Sequence, residues 1–460
     1  MDQSIVFDPE LIKRYDTSGP RYTSYPTAVQ FHEGFGEADY VRVAKETNLS
    51  GRPLSLYFHL PFCDTVCFYC ACNKIATKDR TMAQPYLDRV YGELALQSAL
   101  FDRSRTVDQL HWGGGTPTFI SHEQMAELMA KTREHFTLHD DDSGEYSIEI
   151  DPREVNPDTI ALLRQLGFNR MSLGVQDFEP AVQKAVNRLQ TEEQTFSALD
   201  AARRCGFKSI SIDLIYGLPL QSAASFANTL DKILAVEPDR LSVFNYAHLP
   251  EMFKPQRRIN ADELPTAAEK LEILKMTIER LTAAGYVYIG MDHFAKPDDE
   301  LAVAQRNGQL YRNFQGYSTH ADCDLLGFGV TSVAKVGRSY SQNVRTLEAY
   351  ENCIDAGRLP VYRGIELSDD DVLRRDVITR LICNFELDKS AIEAQYGIVF
   401  DDYFASVGTR LAQLADDGLI VMDGPRIEVQ AKGRMLIRNV CMVFDNYLRG
   451  NHAQRFSKVI

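Results

Sequence analysis

Short apolar runs alternate with helical periodicity between about residues 54 and 291. Apolar residues recur at helical spacing in the intervening segments, for example at Leu271, Leu274, Ile278 and Leu281. The runs are rich in the β-branched and aromatic side chains that strands prefer, and they cover 54–60, 108–112, 147–150, 170–175, 209–215, 240–246 and 286–291. This alternation predicts an α/β fold of six or seven parallel strands with helical crossovers, in a barrel or an open part-barrel.

Chemically distinctive residues stand at the ends of these runs. Cysteines follow the first run, and the segment Gly-Gly-Gly-Thr-Pro at 113–117 follows the second. The carboxyl ends of parallel barrel strands share one rim, where such folds place their chemistry. We therefore expect a further set of strand-end polar residues to meet there, namely Glu149, Asp151, Gln176, Asp213, Asn245, His248, Asp292 and His293.

The sequence predicts four regions, of which the core covers residues 51–295 and the other three flank it. Residues 1–50 contain RYTSYPTAVQF, which is too rich in turn formers and aromatic residues for a helix, so we expect an arm that lies on the barrel. Residues 296–365 are polar and irregular, and we expect them to connect the regions and cover the rim.

Residues 366–460 predict a small, mainly helical domain that resembles a winged helix. Ser368 and Asp371 form a capping pair that opens a helix. The segment GLIVMDGPRIEVQ predicts two strands around an Asp423-Gly424 turn. The helical segment before this hairpin is acidic, which disfavours DNA binding.

Composition and charge narrow the classes of function. The 460 residues are 44% hydrophobic and 25% charged, with a net charge of −14, which disfavours non-specific binding to nucleic acid or acidic membranes. The first residues lack the basic and apolar regions of a signal peptide, and no apolar run of about 18 residues predicts a membrane span. Five of the nine cysteines are scattered singly, so we expect a reduced, cytoplasmic protein.

Cys63, Cys67 and Cys70 form a C-x3-C-x2-C run within PFCDTVCFYCACN. Three thiolates can hold three corners of a cubane iron–sulfur cluster and leave the fourth iron open to a small molecule. An odd number of neighbouring cysteines disfavours disulfides. Zinc remains the alternative, because Cys72 would supply a fourth ligand.

This run resembles the signature of the radical S-adenosylmethionine enzymes. The glycine segment at 113–117 is similar to the turn that meets the methionine end of their cofactor, and Tyr69 matches their aromatic residue beside the adenine. The resemblance implies a partial TIM-like (βα)6 barrel, with an N-terminal arm and a small C-terminal helical domain. It implies a 4Fe–4S cluster on Cys63, Cys67 and Cys70, with Cys72 outside the ligand set.

Within that superfamily, motifs from end to end resemble the branch that decarboxylates coproporphyrinogen III without oxygen. They include RYTSYP, HWGGGTPT, EIDPRE, GVQDF, FNYAHLP, RNFQGYST and KGRMLIRN. The resemblance implies two S-adenosylmethionine molecules. The first would contact Tyr57, Gly114, Glu149 and the backbone of Val333. The second would contact Tyr69, Gly115, Thr116, Gln176, Arg188, Asp213 and Ala247.

The implied reaction converts two propionate side chains of coproporphyrinogen III to vinyl groups and yields protoporphyrinogen IX. It needs a one-electron donor and an electron acceptor, both unidentified, and no catalytic side chain beyond the cluster and cofactor is assigned. Because the substrate carries four carboxylates, we expect Arg21, Arg257 and Arg258 to bind it. We expect a monomer.

Related proteins supply two alternative functions. Haem chaperones resemble the chain over the barrel, but they lack the RYTSYP arm and have a different residue at the position of Cys72. Radical methyltransferases and haem-opening enzymes also use paired cofactor molecules. The arm and Cys72 favour the decarboxylating enzyme.

Overall fold

The structure is a computed structural model that describes residues 5–449 and divides into two units. The barrel unit comprises 31–280 and 322–366. The C-terminal unit comprises 281–321 and 367–449 together with 5–30. Within the described residues, no helix has the length and apolarity that a bilayer crossing requires.

Strands and helices alternate through the barrel unit, and the C-terminal unit also contains both helices and strands. The strands are β1 (Leu54–Leu60), β2 (Phe62–Cys63), β3 (Ile75–Ala76), β4 (Thr106–Gly114), β5 (Thr137–Leu138), β6 (Glu145–Ile150), β7 (Arg170–Gln176), β8 (Ser209–Tyr216), β9 (Arg240–Asn245), β10 (Val287–Gly290), β11 (His293–Ala295), β12 (Tyr311–Asn313), β13 (Gly316–Ser318), β14 (Asp324–Phe328), β15 (Val333–Val336), β16 (Ser339–Asn343), β17 (Val361–Glu366), β18 (Glu386–Asp388), β19 (Ile420–Asp423) and β20 (Arg426–Val429). The helices are α1 (Pro9–Arg14), α2 (Glu37–Thr47), α3 (Ala83–Ser98), α4 (His122–His135), α5 (Pro157–Gln165), α6 (Pro180–Ala185), α7 (Glu192–Cys205), α8 (Ala223–Ala235), α9 (Ala267–Ala283), α10 (Glu300–Arg306), α11 (Leu347–Asp355), α12 (Asp369–Asn384), α13 (Lys389–Tyr396), α14 (Phe400–Tyr403), α15 (Gly408–Asp416) and α16 (Ile437–Met442).

Six parallel strands form the centre of the barrel unit. Strands β1, β4, β6, β7, β8 and β9 pair in sequence order, and a helix follows each of them. Their apolar side chains are buried, and the rings of Phe58 and Phe328 stack with centroids 4.8 Å apart. This order is that of an open (βα)6 barrel, as predicted, and it directs six carboxyl ends to one mouth.

The seventh predicted run does not form a further parallel strand. Gly290 and Met291 have φ angles of 139° and 53°, so the chain turns back after β10. Strand β10 consequently pairs antiparallel with β11 within the C-terminal unit. The expectation that the run at 286–291 forms a seventh parallel strand was therefore wrong.

Residues 296–365 were expected to be irregular, but much of this segment is sheet. Strand β14 pairs in parallel with β1, and β15, β16 and β17 extend the sheet by antiparallel pairing. These strands have only four to six residues each and carry several serines and charged side chains. They therefore lack the apolar run that identified the other strands.

Residues 5–30 of the N-terminal arm belong to the C-terminal unit, whereas residues 31–50 belong to the barrel unit. The Tyr22 hydroxyl donates to Asp445 at 2.9 Å, and the Tyr25 hydroxyl accepts from the Asn446 N–H at 3.1 Å. Both phenol rings are buried, so their polar ends need these partners. As predicted, residues 21–31 form no α-helix, although α1 and α2 lie elsewhere in the first 50 residues.

The C-terminal helix and hairpin follow the predicted pattern. Ser368 and Asp371 form a capping box at the start of α12, whose apolar residues are buried. Strands β19 and β20 pair antiparallel, with Asp423 opposite Arg426. The two-residue loop is therefore Gly424-Pro425, one position later than the predicted turn, and Gly424 takes the positive φ of 54°.

A buried ion pair joins Asp324, the first residue of β14, to Arg105, the residue immediately before β4. The Arg105 guanidinium donates to Asp324 at 2.5 Å, and the two side chains are 1% and 2% exposed. Asp324 also accepts from the Thr47 hydroxyl at 2.7 Å and from the Gly337 N–H at 2.8 Å. The Asp324 carboxylate therefore accepts from three donors and links its own strand to the three segments that carry them.

Asp324→Asn should therefore destabilise the protein by about 3–5 kcal/mol, because it leaves Arg105 as an unpaired buried charge. Asp355→Asn is the matched control, since Asp355 is 55% exposed and pairs with Arg89 at the surface. The free energy of unfolding of Asp355→Asn should fall by less than about 1 kcal/mol. Urea unfolding measures both, and equal losses for the two variants would contradict the assignment.

Candidate active site

The cysteine loop follows β1 and is held at its two ends by a short parallel pair. Strand β2, which ends at Cys63, pairs with β3 beyond the loop. Cys63 and Cys67 are buried, Cys70 is partly exposed, and the Cys70 N–H donates to the Cys67 carbonyl at 3.3 Å. The three thiols consequently line one cavity at the carboxyl ends of the barrel strands.

The spacing of the loop sulfurs does not suit a single zinc ion. Sulfurs around one tetrahedral zinc lie about 3.8 Å apart, because each Zn–S bond is about 2.3 Å. Within residues 5–449, no three of the sulfurs of Cys63, Cys67, Cys70 and Cys72 lie within 4.8 Å of one another. A group of several metal ions, with one thiolate on each of three, fits this donor set.

The loop thiols differ in their electrostatic surroundings. Burial raises the pKa of Cys63 to about 11, although the Thr116 hydroxyl donates to its sulfur at 3.6 Å. A hydrogen bond from the Cys72 thiol, helped by the charge of Lys74, lowers the pKa of Cys70 to about 5 against the effect of burial.

The glycine segment meets the cysteine loop backbone to backbone. The Gly115 N–H donates to the Leu60 carbonyl at 2.8 Å, and the Thr116 N–H donates to the Phe62 carbonyl at 2.7 Å. A Cβ atom at Gly115 would lie 2.6 Å from the Phe62 oxygen, and Gly114 has a φ of 115°. Only glycine permits this approach, which leaves a smooth cavity wall beside the thiols.

Glu149 lies at the end of β6 and faces the same cavity. Its carboxylate accepts from the Gly114 N–H at 3.0 Å and lies 3.5 Å from His111 Nε2. Burial opposes ionisation, but His111 and the Gly114 N–H hold the pKa of Glu149 below its usual value. The Tyr57 ring stacks on His111 with centroids 5.8 Å apart, so β1, β4 and β6 build one charged wall.

Arg188 connects a carboxylate to the cysteine loop. Its guanidinium donates to Asp151 at 3.0 Å, to the Gly174 carbonyl at 2.5 Å and to the Cys67 sulfur at 3.6 Å. Arg153 also donates to Asp151, at 2.7 Å, and to Cys67, at 3.7 Å. Burial opposes ionisation of Asp151, but the two arginines hold its pKa at about 2. The two guanidinium groups therefore bring positive charge to the Cys67 sulfur.

Asp213 and Gln176 complete the opposite wall. The Ser172 hydroxyl donates to Asp213 at 2.7 Å, and burial raises the pKa of this carboxyl to about 6. Gln176 follows a bulge in β7 and has a φ of 67°, which turns its side chain toward Gly174. Both residues line the cavity with the thiols.

The other predicted cofactor residues lie around this cavity or farther away. Tyr69 lines it, and its ring packs against a cluster that contains Val186 and Tyr246. Ala247 is exposed after β9 and is not among the cavity-lining residues. Val333 begins β15 and likewise does not line the cavity.

The predicted substrate arginines already have partners of their own. Arg21 forms an ion pair with Asp292 within the C-terminal unit. Arg257 donates to the Pro250 carbonyl at 2.9 Å, and Arg258 lies over the Phe68 ring at 5.3 Å. Arg257 and Arg258 are both exposed in the barrel unit.

Several side chains that line the cavity are not among the predicted cofactor residues. Asp151 was predicted only as a strand-end residue at the rim, and Arg153 was present only within the EIDPRE motif. Ser172 and Lys74 gave no signal, because a serine in a strand and a lysine in a loop are ordinary. Their roles follow only from the partners that folding brings to them.

The set of groups at this cavity can bind a metal cluster and a polar ligand together. Three thiols supply the cluster donors, and Arg188 and Arg153 offset their negative charge. Glu149 and Asp213 are acceptors suited to ammonium or hydroxyl groups. The residues present therefore fit both an iron–sulfur cluster and a charged nucleoside cofactor.

Two family models match the chain. The model described as the radical SAM superfamily matches residues 57–233, and the HemN C-terminal domain matches residues 367–436. An oxygen-independent coproporphyrinogen III oxidase from Pseudomonas aeruginosa is 56% identical over 460 residues, which cover 100% of both chains. The Escherichia coli protein of the same name is 52% identical over 459 residues, which cover 100% of this chain and 99% of that one.

The fold is similar to that of a solved structure. The coproporphyrinogen III oxidase from Escherichia coli, described as a radical SAM enzyme, superposes with a TM-score of 0.92 at 51% identity. The match covers 96% of this chain and 100% of that chain. It confirms the predicted radical SAM barrel with its additional C-terminal domain.

Asp213 should make stability depend on pH in a defined direction. Its pKa in the folded protein, about 6, exceeds its usual 3.8. Its stabilising contribution is therefore full below about pH 4 and is lost as the pH rises through 6. Asp213→Asn should be more stable than the parent by at most about 3 kcal/mol at pH 7, and the difference should vanish near pH 4. Urea unfolding between pH 4 and pH 7 measures this stability difference. A difference that does not change with pH would contradict the raised pKa of Asp213.

Proposed function

The chain belongs to the family of oxygen-independent coproporphyrinogen III oxidases, and from this premise we propose that it decarboxylates coproporphyrinogen III by radical chemistry. Two propionate side chains become vinyl groups, and the product is protoporphyrinogen IX. One observation carries the proposal: a cavity lined by three cysteine thiols and a glycine wall, in a chain similar over its whole length to enzymes of this name. We further propose that it acts as a cytoplasmic monomer.

Cys63, Cys67 and Cys70 would hold a 4Fe–4S cluster and leave one iron for S-adenosylmethionine. When bound, this pair supplies a 5′-deoxyadenosyl radical that removes a hydrogen atom from the β-carbon of a propionate. Arg188 and Arg153 hold positive charge 3.6 and 3.7 Å from the Cys67 sulfur. This charge would offset the negative charge of a cluster bound at that sulfur.

A first S-adenosylmethionine would contact Tyr57, Gly114, Glu149 and the backbone of Val333, of which Gly114 and Glu149 line the cavity. Glu149 is held ionised by His111 and the Gly114 N–H, which suits it to accept from an ammonium group or from hydroxyls. The absence of a Cβ atom at Gly114 leaves its backbone within reach of the ligand.

A second S-adenosylmethionine would lie against the opposite wall, which carries both polar and apolar groups. Arg188 offers a planar fork whose Nε has no hydrogen-bond partner among residues 5–449 and which suits a ligand carboxylate. The remaining residues assigned to it are Tyr69, Gly115, Thr116, Gln176, Asp213 and Ala247.

The reaction requires an electron to leave the substrate. Loss of hydrogen from the β-carbon, followed by release of carbon dioxide and one electron, leaves a vinyl group. An acceptor must take that electron, and a one-electron donor must reduce the cluster; both partners are unidentified.

Haem transport by a chaperone-type relative is the second candidate function. The full-length similarity to oxidases, including residues 21–26 and Cys72, favours the enzyme. Anaerobic incubation of the reconstituted protein with coproporphyrinogen III, reductant and S-adenosylmethionine should release two carbon dioxide molecules per product. Haem capture without carbon dioxide release would overturn the proposal. Equilibrium dialysis should count two S-adenosylmethionine molecules per chain.

Cys70→Ser should lose most of the iron and sulfide after anaerobic reconstitution, because one cluster corner loses its thiolate. Cys72→Ser is the matched control, two residues away in the same loop, and should keep about four iron atoms per chain. Iron and acid-labile sulfide analysis measures both. Equal loss in the two variants, with zinc in their place, would contradict the three-thiolate site.

A further inference from the structure

One arginine in the C-terminal unit is buried without a counter-charge. Arg312 lies in β12, opposite Tyr317 of β13, and its guanidinium carbon is 4.8 Å from the centre of that ring. The residue is 7% exposed. Its Nε and Nη1 atoms have no hydrogen-bond partner within residues 5–449, and no ion pair of Arg312 occurs there.

This arrangement is unfavourable for a ligand-free protein. Arginine stays charged in proteins, and a buried charge is normally paired and hydrogen-bonded. The contact with the Tyr317 ring offsets only part of the loss of hydration. The buried guanidinium of Arg312 on this short hairpin therefore indicates a binding site for an anion.

Two further arginines increase the positive charge around it. Arg438 is 2% exposed and donates to the carbonyls of Gly19 and Pro20, next to Arg21. Burial and the charges of Arg21 and Arg312 lower the pKa of Arg438 to about 9. Asp292 pairs with Arg21. Arg438 therefore lies close enough to Arg21 and Arg312 to be affected by the positive charge of both.

We propose that Arg312, flanked by Arg21 and Arg438, binds a propionate carboxylate of the porphyrinogen. The inference rests on the proposed function, because that substrate carries four carboxylates. A guanidinium fork binds a carboxylate through two parallel hydrogen bonds, and within residues 5–449 two of the three nitrogens of the Arg312 guanidinium, Nε and Nη1, have no hydrogen-bond partner. Arg312 thereby becomes a specificity residue that the family motif alone does not assign.

The test uses coproporphyrin III, the stable oxidised form of the substrate, as an equilibrium probe. Arg312→Met should weaken its binding by about 10- to 100-fold, the loss expected for hydrogen bonds to a charged group. Arg312→Lys should recover only part of this affinity, because an ammonium group lacks the fork. The tetramethyl ester of the porphyrin should bind the parent and Arg312→Met equally.

Arg380→Met is the control, because Arg380 lies in the same unit and is paired with Asp376 at 2.8 Å. It should leave porphyrin affinity unchanged. Thermal unfolding of the ligand-free proteins supplies a second readout. An arginine with a structural role would lower the melting temperature when replaced, whereas Arg312→Met should leave it equal or higher, because an unpaired buried charge is removed.

The two proposals fail in different ways. If the parent protein releases no carbon dioxide from coproporphyrinogen III, the proposed function fails. If the parent turns over but Arg312→Met binds coproporphyrin III as tightly as the parent, the inference is overturned. A lower melting temperature with unchanged porphyrin affinity would overturn it as well, and so would an Arg312-dependent binding of inorganic phosphate alone.

Discussion

The contact between the cysteine loop and the glycine segment is the constraint on which the candidate site depends. Parallel pairing of β1 with β4 places Leu60 opposite Gly114, so the two segments leave the sheet side by side. Two backbone hydrogen bonds then join them, at 2.8 and 2.7 Å. The distance from the Gly115 Cβ position to the Phe62 oxygen, 2.6 Å, leaves no room for a side chain. Any shift of register would separate the thiols from the wall that faces the cofactor.

Charge balance is the second requirement at this cavity. Thiolates and carboxylates crowd one mouth, in a protein whose net charge is −14. Arg188 and Arg153 compensate locally, because both contact Asp151 and the Cys67 sulfur. Asp151 thus orients the two guanidinium groups toward the loop. The arrangement explains why a fully buried arginine is tolerated beside the cysteines.

The two units use arginine in opposite ways. In the barrel unit, Arg105 and Arg188 are buried with carboxylate partners, so their charges are satisfied within the folded chain. In the C-terminal unit, Arg312 is buried against an aromatic ring, and among residues 5–449 its Nε and Nη1 have no hydrogen-bond partner. A satisfied arginine stabilises a fold, whereas an unsatisfied one lowers stability until an anion binds. We therefore assign a structural role to Arg105, a charge-balancing role to Arg188 and a ligand-binding role to Arg312.

The sequence alone determined the six parallel strands and the position of the cysteine run, because hydrophobic periodicity and residue spacing are local properties. It also predicted the capping box at Ser368 and Asp371 for the same reason. Only the tertiary structure decided that 324–366 extend the barrel sheet and that residues 5–30 join the C-terminal unit. It also decided that Arg312 is buried with no hydrogen-bond partner for its Nε and Nη1 among the described residues. Strand pairing, burial and charge compensation depend on segments far apart in the chain, and no local pattern records them.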